Sequence, residues 1–108
     1  MRYSRYEVES ILREELQASK KALENTRNDP LRFHEVDIPK IFKEGYKYSL
    51  CAQLIAYKDL YIDYEVRALI ELETLSSRII TTEDTWEVLQ FEWRCFVVDY
   101  LLERIKSQ

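Results

Sequence analysis

The sequence predicts an all-α fold, a four-helix bundle-like single domain over residues 1–108, and three observations lead there. One glycine (Gly45) and two prolines (Pro30 and Pro39) in 108 residues leave no supply of the Gly, Asn-Gly and Asp-Gly turns on which hairpin-rich β folds draw. Apolar residues recur at spacings of three and four along most of the chain, the period of a helix with one buried face. Two stretches, Ser4–Glu7 and Thr81–Asp84, carry the residues that satisfy the free N–H groups at a helix start. At this length there is room for one core, because such chains bury roughly two thirds of the surface they expose unfolded. Eight Tyr, four Phe and two Trp are more aromatics than disordered chains contain.

The first helix is predicted to begin at a capping box, Ser4 with Glu7, and a hydrophobic staple, Tyr3 with Val8. Val8, Ile11, Leu12, Leu16, Ser19 and Leu23 form its inward stripe, while Arg13, Glu14, Lys20 and Lys21 occupy other faces. Asn25-Thr26-Arg27-Asn28-Asp29-Pro30 ends it, since Asn and Asp favour turns and the residue before proline leaves the helical region. Residues 27–36 read as a loop, with Leu31, Phe33 and Val36 able to tuck onto the core.

Asp37 is the expected cap of the next helix, and Pro39 falls in its first turn, where a missing N–H costs nothing. From Ile38 to Ile80 there is no further proline after Pro39, so one long kinked helix over residues 38–80 is the alternative to two helices. Two are preferred: an unbroken helix would be about 65 Å long at 1.5 Å per residue, too long for a compact chain of this size. They should meet near Lys58 to Asp63, with Asp59 or Asp63 capping the second. The charge-free run Ser49–Tyr57 places the first of them centrally, covered on most sides. In the second, Val66, Leu69, Ile70, Leu72, Leu75 and Ile79 point inward and Arg67, Glu71 and Arg78 share a solvated face. The last helix follows Thr81-Thr82-Glu83-Asp84 and carries a broad apolar face of Trp86, Leu89, Trp93, Phe96, Val97, Tyr100, Leu101 and Ile105.

Several chemistries are disfavoured by the same residues. A net charge of −4 from 16 basic and 20 acidic side chains provides no basic footprint for a phosphate backbone, which argues against nucleic acid as partner. No stretch approaches the 18 or so apolar residues of a membrane span, and the first residues lack the apolar core of an export signal, so a cytoplasmic protein is expected. Cys51 and Cys95 stand in apolar helical runs as reduced core thiols, with no ligand spacing for zinc. The single histidine, His34, has no nucleophile in a recognisable setting, and one glycine cannot build a phosphate-cradling loop. No cofactor, metal or catalytic group is therefore expected.

What remains is binding. Tyr57-Lys58-Asp59-Leu60-Tyr61-Ile62-Asp63-Tyr64-Glu65 sets three tyrosines among three carboxylates at the junction of two helices. Tyrosine gives rigid amphipathic contact area and carboxylates favour a basic partner, so Tyr57, Asp59, Tyr61, Asp63, Tyr64 and Glu65 are the candidate surface of a non-catalytic inhibitor, immunity-type or adaptor protein that binds another protein. The same tyrosines, one turn apart, would equally form the edge of a core. A second candidate is the last helix, where Phe91, Val98 and Leu102 extend its apolar surface enough to close a helical homodimer. A third is a small enzyme or ligand-binding bundle that holds an anion with Arg67, Arg78 and Arg94.

Overall fold

A computed structural model describes residues 3–27 and 38–107. Four α-helices form the bundle among the described residues: α1 (Arg5–Arg27), α2 (Ile38–Ala56), α3 (Tyr64–Ser76) and α4 (Thr85–Lys106). Of the loop expected at 27–36, Arg27 is the last residue of α1; the rest, with Leu31, Phe33, His34 and Val36, and the expected cap Asp37 lie outside the described residues.

The start of α1 follows its sequence closely. The Glu7 N–H donates to Ser4 Oγ at 3.0 Å and the Ser4 N–H reaches the Glu7 carboxylate at 3.5 Å, the reciprocal pair of a capping box. Val8, Ile11, Leu12 and Ser19 are buried, and Tyr3 packs against the core that Val8 enters. Its longest contact is with α2, and α4 lies across α2 and α3 with a smaller contact to α1. The core consists of Leu50, Cys51 and Leu54 from α2, Tyr64, Ala68, Leu69 and Leu72 from α3, and Val97, Val98, Leu101, Leu102 and Ile105 from α4, closed over the α1 stripe.

The segment 38–80 is two helices. A 3₁₀ turn at Tyr57–Asp59 follows α2, and the chain resumes helix at Tyr64. Asp63 takes the N-cap position without a side-chain capping bond; its carboxylate instead meets Arg67 at 3.4 Å. The charge-free run is not covered on most sides: Ser49, Ala52, Gln53 and Ala56 are exposed, because α2 buries only the face that α1 and α4 reach. In α3, Leu69 and Leu72 turn inward as expected, but Ile70 is exposed and the helix ends at Ser76. The Ser77 N–H closes it by donating to the Glu73 carbonyl and the Arg78 N–H to that of Leu75, so Ile79 lies in the following link, exposed rather than in the core. The cap of α4 is Asp84, whose Oδ1 accepts from the Glu87 N–H at 2.9 Å, while the Thr82 hydroxyl accepts from the Asp84 N–H.

Val97 to Ile105 on α4 carry the buried side chains, but its broad apolar face divides. Trp86, Leu89, Phe96 and Tyr100 remain exposed along its outer side. Conversely Val98 and Leu102, expected at a dimer contact, are buried within the bundle and cannot face a second chain; Phe91 is half-buried. An α-helix with apolar residues on more than one stripe turns whichever stripe faces α1, α2 and α3 inward, and periodicity alone does not select it.

Candidate functional site

The α2–α3 junction is held by a residue from the other end of the chain. Arg5, in the first turn of α1, donates from Nη2 to the Lys58 carbonyl at 3.0 Å and from Nη1 to the Ile62 carbonyl at 3.1 Å. One planar guanidinium thereby fixes both sides of the turn, the fork geometry that lysine lacks. Lys58 in turn reaches back to Glu9 of α1 at 2.7 Å, and this ammonium holds the Glu9 carboxyl below the usual carboxylate range. Within the turn, the N–H groups of Leu60 and Tyr61 donate to the Tyr57 carbonyl at 3.0 and 2.9 Å. The Tyr57 and Tyr61 rings meet edge to face at 5.6 Å, and Arg67 lies 4.9 Å over the Tyr61 ring.

The consequence is a rigid tip with its apolar groups outward. Leu60 is 68% and Ile62 96% exposed, Tyr61 is exposed between them, and Tyr6 of α1 stands in water near Lys58. Natural chains scatter single exposed apolar residues freely, whereas here three consecutive ones form one patch on a braced turn.

The residues predicted from sequence divide three ways here. Asp59, Tyr61 and Asp63 are at the surface, Asp63 already paired with Arg67. Tyr57 and Glu65 are half-buried, Tyr57 packing against the core edge and one Glu65 oxygen enclosed without a hydrogen-bond donor. Tyr64 is fully buried and cannot meet a partner. Burial pushes its phenol well above the ordinary value, and the Arg5 guanidinium lies 5.6 Å over its ring. Sequence reasoning missed Leu60, Ile62, Tyr6 and Arg5. The apolar pair could be found only as the non-tyrosine members of the junction; the Arg5 brace joins positions far apart in sequence and leaves no local signal.

A second polar constellation lies inside the bundle. Glu15 of α1, 4% exposed, accepts from the Tyr100 hydroxyl at 2.7 Å and the Arg104 Nη1 at 3.1 Å, and pairs with Lys47 of α2 at 3.2 Å. Burial raises its pKa, but the Tyr100 hydrogen bond and the Lys47 and Arg104 cations outweigh burial and leave it lowered. Every contact is between helices of the same bundle, so the group ties α1, α2 and α4 together.

The three arginines of the anion-binding reading do not share one place. Arg67 belongs to the junction. Arg94 lies over the Phe42 and Tyr46 rings at 5.5 and 5.8 Å, and with Arg78 it opposes the rise that burial imposes on the Tyr46 phenol. Burial pushes the Cys51 thiol up to about 12, and burial together with Asp99 and Glu92 raises Cys95, so both are protonated at neutral pH and neither is an activated nucleophile. Among the described residues no cluster of His, Cys, Asp and Glu side chains could hold a metal ion, and no helix is long and apolar enough to cross a membrane.

The chain matches no protein-family model, and no curated protein or solved structure is significantly similar to it.

Proposed function

We propose that this chain is a non-catalytic protein-binding module of inhibitor or adaptor type, and that it meets its partner with the Leu60-Tyr61-Ile62 tip. The observation that carries the reading is Ile62, almost wholly in water on a turn whose backbone Arg5 fixes. An apolar anchor that is ordered before binding loses little conformational freedom on association, which is the property that distinguishes binding hot spots from adaptable surface. Tyr61 adds amphipathic contact area, and Asp59 supplies a carboxylate for a basic group at the rim of the partner's site. The two unpaired, protonated thiols suit a cytoplasmic protein.

The test is a comparison of two baits in extracts of the native host: the unaltered chain and a Leu60→Ser/Ile62→Ser chain. A partner retained by the first and lost by the second is the expected result, with at least a tenfold weaker Kd when binding is remeasured with purified components. A partner held equally by both would place the contact elsewhere.

A further inference from the structure

The outer side of α4 carries an apolar stripe that the described residues leave largely exposed. Trp86, Leu89, Trp93, Phe96 and Tyr100 alternate at spacings of three and four over about 21 Å of helix at 1.5 Å per residue. Trp86 is 51% and Phe96 60% exposed; Leu89 and Tyr100 are also exposed, and Trp93 is held between Phe42 of α2 and Trp86 by ring contacts of 5.2 and 5.6 Å. A strict three-four alternation is the seam that one helix offers to another, and it sits on the side of α4 away from its buried residues.

The flanks of this stripe carry opposite charge. Lys40, Lys43 and Lys47 of α2 border one side, with Lys43 Nζ 4.1 Å from the Phe96 ring and Lys47 5.3 Å from that of Tyr100. Lys47 is occupied by Glu15 and Glu44, whereas Lys40 and Lys43 carry no ion pair among the described residues. Along the other side run Glu92, Asp99 and Glu103, all exposed and three or four positions from stripe residues; Asp99 accepts from the Ser76 hydroxyl at 2.7 Å.

We propose that a second copy of this chain covers the stripe, the two α4 helices running side by side in the same direction about a two-fold axis. Such an axis, parallel to the helices, sets the acidic flank of each copy against the lysine flank of its mate, and it does so twice. Pairing in opposite directions would set acid against acid and lysine against lysine. An acidic helix from another protein would satisfy the lysines but meet the Glu92 and Glu103 row with like charge. The self-complementary surface is what a closed dimer requires.

Sedimentation and light scattering of the full chain should show a dimer that weakens with salt. Leu89→Glu/Phe96→Glu should give a monomer with the same helical circular dichroism. Lys40→Glu/Lys43→Glu, confined to side chains outside the core, should weaken the dimer at least tenfold, and adding Glu92→Lys/Glu103→Lys to that same chain should restore it. In a Cys95→Ser background, Leu89→Cys should form a reducible dimer with itself under mild oxidation, as only same-direction pairing brings the two positions 89 together. A monomeric chain at high concentration overturns the proposal, as does a dimer that survives Leu89→Glu/Phe96→Glu or one whose Leu89→Cys variant does not cross-link. The Leu60→Ser/Ile62→Ser chain should dimerise normally, which keeps this result separate from the partner-binding test.

Discussion

Glu15 and Ile62 exchange the places that hydropathy would give them. The carboxylate is enclosed among three helices, and the isoleucine stands in water at the end of a turn. Removing a carboxylate from water costs several kcal/mol unless donors replace the solvent, and here a phenol, a guanidinium and an ammonium do so, each from a helix that α1 must contact anyway. At the junction the backbone carbonyls of Lys58 and Ile62 hold Arg5, so the polar side of the turn is satisfied inward and its apolar side chains are left facing out. The difference teaches that in this molecule polar satisfaction decides orientation at both places: it draws a charge into the bundle at one and turns apolar groups out of it at the other. The buried charge serves the fold; the exposed apolar groups do nothing for the fold and so invite a binding role.

Breaking the first half of this comparison should have the largest effect. Glu15→Ala leaves Lys47 and Arg104 without their shared carboxylate, although Glu44 and Glu14 still meet them; the loss should be about 2 to 3 kcal/mol, below the full cost of breaking a buried pair because both cations keep a second partner. Urea unfolding would measure it.

A smaller effect comes from acid. The Glu15 carboxyl titrates lower in the folded chain than its ordinary 4.5, so the unfolded chain binds the proton first. Its contribution is fully present above that value and is lost as pH falls below 4.5 through the folded pKa. The stability difference between the native chain and Glu15→Gln should therefore shrink on acidification below 4.5, and a constant difference would mean that the carboxylate's charge is not what the three donors stabilise.

The smallest change in stability should come from the other half. Leu60→Ser/Ile62→Ser removes two apolar side chains that the folded state leaves in water, so unfolding should shift by no more than about 0.5 kcal/mol. A loss of several kcal/mol would show that the tip belongs to the core, and it would remove the motive for a binding role.

Much of this was legible from local signals. The capping box at Ser4, the inward stripe of α1 and the break between Lys58 and Asp63 depend on neighbours a few residues apart, where sequence and geometry are the same information. The junction was also marked as a surface by its tyrosines and carboxylates, and Asp59, Tyr61 and Asp63 do lie there. Tyr64 was not separable from them: it lies three positions from Tyr61, and only the approach of α1 decides that its ring is enclosed. The last helix shows the same limit more broadly. Val98 and Leu102 and the stripe of Trp86, Leu89 and Phe96 are equally apolar in the sequence, and the bundle takes one set and leaves the other.

By itself the sequence determined the helical class and most helix starts and breaks, because propensity, capping and the three-four period act within one turn or two. Which face each helix buries, that Glu15 is a satisfied interior charge, and that Arg5 braces a turn more than fifty positions away were decided by tertiary structure alone, because each depends on donors and acceptors that meet only when distant segments pack.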